Sequence, residues 1–66
     1  MKILLNNKTL LLKDGLNIKG LLDQIDLKHK YFAVEVNEQS VPKSNHESYL
    51  IKDGDKIEIV SAIGGG

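Results

Sequence analysis

Ile57-Glu58-Ile59-Val60-Ser61-Ala62-Ile63-Gly64-Gly65-Gly66 closes the chain. Residues 56–62 alternate with the two-residue period of a β-strand and make up the most apolar strand of the sequence. Ile57 and Ile59 share one face, and Val60 and Ala62 share the other. So apolar a strand is expected at the centre of a sheet, with a helix covering one side. The last three residues carry no side chain. A domain that finishes as a central strand and releases bare glycines is expected to present its terminal carboxylate.

The remaining segments supply what such a strand needs. Ile3 and Leu5 alternate with Lys2, Leu4 and Asn6, which predicts a first strand. Asn6-Asn7-Lys8 breaks it, and asparagine tolerates the positive φ of a tight hairpin turn. Residues 9–12 return, with Leu10 and Leu12 on the inner face beside Ile3 and Leu5, and with Leu4 and Leu11 outward. Lys13-Asp14-Gly15 ends the hairpin. Asn17 is a candidate N-cap. Ile18, Leu21, Leu22 and Ile25 then follow at the i, i+3, i+4, i+7 spacing of one helical stripe. Gly20 inside this helix costs about 1 kcal/mol relative to alanine. Either burial of the stripe overrides that cost, or the glycine lets the helix approach the sheet closely. The helix is expected to fade over residues 26–30.

Phe32, Val34 and Val36 alternate with Ala33 and Glu35 as a third strand, turned by Asn37-Glu38-Gln39. Ser40-Val41-Pro42-Lys43 is a short extended piece, and Pro42 assigns it to a sheet edge. Residues 44–48 form a polar loop. Tyr49, Leu50 and Ile51 are expected to return to the core. Lys52-Asp53-Gly54-Asp55 turns into the last strand, which should run parallel to the first. The sum is an α+β roll, one helix packed on a mixed sheet of four to five strands, the β-grasp arrangement. Residues 1–63 form one domain, and residues 64–66 a flexible tail.

Composition narrows the function. Sixty-six residues bury only roughly 60% of their unfolded surface, leaving little room for an enclosed active site. Nine basic and nine acidic residues balance, so no long-range field recruits nucleic acid or an anionic membrane. There is no cysteine, which excludes a disulfide framework, a thiolate zinc site and a cysteine nucleophile. No apolar run approaches the ~20 residues that span a bilayer. These features predict a soluble cytoplasmic protein. His29 and His46 each stand alone in polar segments, so both are expected to be solvated and no metal site is expected. Asp53-Gly54-Asp55 lacks the loop of an EF-hand and reads as a turn.

The chain resembles the ThiS family, the sulfur carrier proteins of thiazole and thiamine biosynthesis, within the ubiquitin-like β-grasp group. The resemblance rests on Ile3-Leu4-Leu5-Asn6, on Gly15-x-Asn17-Ile18-x-x-Leu21-Leu22, and on Val34-x-Val36-Asn37 followed by Val41-Pro42. It continues in Gly54-Asp55-x-Ile57-Glu58-Ile59-Val60 and the terminal glycines. The chain departs from the family pattern at Asn17, Gly20, Glu38 (often glycine) and Lys43.

The resemblance implies a carrier rather than an enzyme, with no catalytic residue and no bound cofactor of its own. A ThiF-like adenylyltransferase would use ATP to convert the Gly66 carboxylate to an acyl-adenylate. A persulfide donor, such as a cysteine desulfurase, would supply the sulfur of a Gly66 thiocarboxylate. A ThiG-like thiazole synthase would receive it. Gly64 and Gly65 would thread the partner's active site, since glycine passes narrow channels. The folded domain must dock to offset the ordering of this tail. Leu4, Leu11, Val60, Ala62 and Ile63 are therefore expected to form an apolar partner-binding patch. Alternatives within the fold are a carrier resembling the small subunit of molybdopterin synthase and a ubiquitin-like modifier. A modifier often has a basic residue before its Gly-Gly, where this chain has Ile63 and Gly64. A plain interaction module is a further alternative.

Overall fold

The structure is a computed structural model, and it describes residues 1–25 and 32–61. Strands β1 (Lys2–Leu5) and β2 (Lys8–Leu11) form the first hairpin. Helix α1 (Ile18–Gln24) follows, then β3 (Phe32–Val36), β4 (Gln39–Val41), a 3₁₀ turn (Lys43–Asn45) and β5 (Lys56–Ser61). The sheet order is β2-β1-β5-β3-β4. β5 lies at its centre, parallel to β1 and antiparallel to β3. The edge position expected of the piece containing Val41 is that of β4, and Pro42 lies just beyond it.

Local sequence explains both hairpins. Asn6 and Asn7 have φ of 48° and 68°, and Asn37 and Glu38 have φ of 52° and 71°. Two consecutive left-handed residues make the turn whose twist matches the flanking strands. Asparagine accepts this backbone readily, but glutamate does not, and a left-handed non-glycine residue costs roughly 1–2 kcal/mol. Glycine at this position would relieve that strain. Glu38→Gly is therefore expected to stabilise the domain by up to about 1 kcal/mol, because glycine's larger unfolded-state entropy offsets part of the relief. A shift of the urea midpoint checks it.

Asn17 caps α1. Its Oδ1 accepts from the Gly20 N–H at 2.7 Å, and its Nδ2 donates to the Glu47 carbonyl at 2.9 Å. Ile18 and Leu21 are fully buried, while Leu22 and Ile25 lie at the margin of the stripe. The helix is short and reaches its C-cap at Ile25. The expected fading over residues 26–30, and His29, lie outside the described residues. Beyond the burial of the stripe, Gly20 has a local reason. A Cβ there would stand 2.6 Å from Leu16 Cδ1 and 3.1 Å from Asn17 Oδ1. The glycine makes room for the Leu16 side chain and for the cap, not for the sheet.

One core joins Ile3, Leu12, Ile18, Leu21, Val34, Val36, Val41, Ile51 and Ile57. Two expectations are corrected around it. Leu50 does not return to the core. It is exposed, because its bridge to Asn17 turns its side chain outward, between Ile51 inward and a half-buried Tyr49. His46 is not solvated but buried, with Nε2 3.1 Å from the Val41 carbonyl oxygen and its ring stacked on Phe32 at 6.5 Å. The 3₁₀ turn folds the polar loop back under α1, where the Lys19 N–H donates to the His46 carbonyl at 3.0 Å.

Candidate functional site

The site is built around the far end of β5. Ile57 is fully buried and Ile59 half-buried, so this strand is anchored in the core by its inner face. Its start is fixed from both sides. The Leu4 N–H donates to the Asp55 carbonyl at 3.0 Å, and the Asn37 N–H donates to the Lys56 carbonyl at 2.7 Å. Asn37 Oδ1 accepts from the Lys56 N–H at 3.0 Å, and Asn37 Nδ2 donates to Asp55 Oδ1 at 3.1 Å. Asp55 is itself buried and also accepts from the Lys52 N–H at 2.8 Å. The turn before the strand is tied to β1 as well, with the Lys2 N–H donating to Asp53 Oδ1 and the Gly54 N–H to the Lys2 carbonyl, both at 2.7 Å. Toward its far end, β5 pairs with β3 through Val60↔Ala33 and Ser61↔Phe32. On the other side, the Asn6 side chain reaches the backbone of Ile59.

Leu4, Leu11 and Val60 all face away from α1, with fractional exposures of 39%, 77% and 53%. The register nevertheless divides them. Leu4 stands opposite Lys56, and Leu11 opposite Lys2. Val60 is four residues further along β5 than Lys56, which at about 3.3 Å per residue is ~13 Å. Lys56 and Glu58, paired at 3.6 Å, occupy the outer face between them. The side chain beside Val60 is instead Ala33, directly opposite on β3 and exposed. Strand alternation gives the face of a residue but not its neighbour across the sheet, so this pairing is not visible in the sequence. Ala62, Ile63, Gly64, Gly65 and Gly66 lie outside the described residues.

Among the described residues, no group of three His, Asp or Glu side chains converges to hold a metal. A groove of about 360 Å³ runs between α1 and the 3₁₀ turn, lined by Lys19, Asp23, Phe32, Lys43, His46 and Glu47 among others. Its basic and acidic side chains mix, Lys19 pairing with Asp23 at 3.5 Å. No described helix is long and apolar enough to cross a membrane.

A mixed five-stranded sheet on one helix, its central strand running into the last residues of the chain, is a ubiquitin-like β-grasp domain. A family model described as the ThiS family matches residues 2–66. The chain belongs to the ThiS family, one of carrier proteins and not of catalysts. It is 32% identical to the sulfur carrier protein ThiS of Escherichia coli over 66 residues, an alignment covering both chains in full. It is 36% identical over 66 residues to a thiazole synthase of Paramagnetospirillum magneticum, but spans only 20% of that protein's length. The crystal structure of the thiamine biosynthesis protein ThiS from Geobacter metallireducens superposes with a TM-score of 0.88 at 28% identity, all of both chains being covered.

Proposed function

We propose that this chain carries sulfur as a thiocarboxylate on the main-chain carboxyl of Gly66, for use in thiazole formation. The observation that carries the reading is the full-length similarity to a sulfur carrier, on a fold whose central strand feeds the glycine tail. A carboxylate is a poor electrophile because it is ionised at neutral pH. A ThiF-like adenylyltransferase activates it: a carboxylate oxygen attacks the α-phosphorus of ATP, and pyrophosphate leaves. The terminal sulfur of a persulfide, of the kind cysteine desulfurases form, attacks the carbonyl carbon and AMP leaves. A second thiol then cleaves the sulfur–sulfur bond, leaving the thiocarboxylate and a disulfide. ATP is consumed by the partner and is not held by this chain. The relative named thiazole synthase, one fifth of which aligns with this chain, supports a ThiG-like enzyme as acceptor.

Gly64 and Gly65 serve as the leash that threads the partner. Docking falls to the outer face, at Val60 and its cross-strand partner Ala33, the outward pair closest in sequence to the end of β5. Val60→Asp is expected to raise KM for the adenylyltransferase at least tenfold, the range of a truncated interface contact. Leu11→Asp, at the other end of the face, should leave KM unchanged. Steady-state pyrophosphate release with varied carrier separates the two. The function itself is tested by the same assay: release must depend on this chain, and adenylyltransferase turnover that ignores it would overturn the reading.

A further inference from the structure

We propose that Asn6 is a positioning residue for the carrier tail, its side-chain amide clipping the last fixed point of β5 on the β1 side. This rests on the carrier function proposed above. The parallel ladder between β1 and β5 has only two registered pairs, Leu4↔Lys56 and Leu5↔Ile57. Its last main-chain bond runs from the Asn6 N–H to the Ile57 carbonyl at 2.9 Å. At Asn6 the backbone enters the left-handed turn and leaves β5. The side chain continues the ladder in its place. Oδ1 accepts from the Ile59 N–H at 2.8 Å, and Nδ2 donates to the Ile59 carbonyl at 3.3 Å. The amide thus substitutes for the next peptide group of a strand that is no longer there.

The turn alone does not require this. A φ of 48° at position 6 is open to glycine and aspartate as well as asparagine. Only asparagine also offers a donor and an acceptor at this short reach. Without the clip, β3 alone among the described residues would fasten β5 beyond Ile57, as for an edge strand. Strand ends held from one side open locally at low free energy. Residues that fray there must be ordered again each time the carboxyl end enters an active site. The docking face would be intact, so the defect would fall on turnover and not on affinity.

Asn37 supplies a matched control. It too sits in a left-handed turn, at φ 52°, and fastens β5 through its side chain, but at Lys56, the start of the strand. Asn6→Gly and Asn37→Gly both keep the turn and delete an amide. Adenylation kinetics well below the unfolding temperature, with amide exchange at Ile59, test the proposal. Asn6→Gly is expected to lower kcat roughly tenfold with KM unchanged, and to speed exchange of the Ile59 amide. Asn37→Gly should lose stability but keep kcat. Asn6→Asp, which keeps the turn and the acceptor but sets a carboxylate oxygen against the Ile59 carbonyl, should also lose turnover. Wild-type kcat in Asn6→Gly, or an equal loss in Asn37→Gly, would overturn the proposal while leaving the carrier reading in place. If the wild-type chain is not adenylated at all, both fail.

Discussion

Removing Gly66 alone is expected to abolish sulfur loading while changing stability by less than about 0.5 kcal/mol. One residue added after Gly66 should do the same. The reason is distance. Deletion or extension moves the carboxyl group by one residue, about 3.3–3.6 Å along an extended chain. A misplacement of only ~1 Å at a reacting centre costs on the order of a hundredfold in rate. The described core residues run from Ile3 to Ile57, all well before Gly66 in the sequence. Intact mass after loading and a urea melt of the same samples measure the two quantities. An extended variant that loads sulfur without being trimmed would contradict the requirement.

Ile57→Ala should have the largest effect on the fold. Ile57 is fully buried at the centre of the sheet, between Leu5 on β1 and Val36 on β3, in the core that includes Ile18 and Leu21 of α1. Truncating such a residue costs about 2–5 kcal/mol from lost transfer energy and the cavity left behind. A domain of this size has roughly 3–10 kcal/mol in all. The variant is expected to be largely unfolded at 37 °C or close to it, and to lose loading for that reason. Ile57→Val, at about 0.5–1.5 kcal/mol, should stay folded. Urea denaturation followed by circular dichroism distinguishes them. An alanine variant within about 1 kcal/mol of the wild type would show that β5 is not the keystone of the core.

Much of this architecture was legible in the sequence because the signals are local. Alternation in residues 32–36 and 57–60, the N-cap at Asn17 and the two asparagine turns each rest on a few neighbouring residues, and the structure has them. What was not legible depends on contacts between distant segments. Alternation turned Leu4, Leu11 and Val60 outward, but only the pairing of Leu4 with Lys56 shows that they stand at opposite ends of one face. His46 is polar and has polar neighbours. Its burial comes from the 3₁₀ turn placing it against Phe32 and the Val41 carbonyl. Leu50 is apolar, but its isolated bridge to Asn17 leaves it outside. Asn6 was readable as a turn residue, whereas its second set of bonds, to Ile59, crosses 53 positions of sequence.

The proposed function rests on the chemistry of the Gly66 carboxyl. The most direct measurement is intact mass of the wild-type chain after incubation with an adenylyltransferase, ATP and a persulfide donor, followed by fragmentation. The expected result is a gain equal to one oxygen replaced by one sulfur, located on Gly66 and absent when ATP is withheld. An unchanged mass alongside an adenylyltransferase that loads its own carrier, or isopeptide adducts to lysine in place of the sulfur gain, would contradict it.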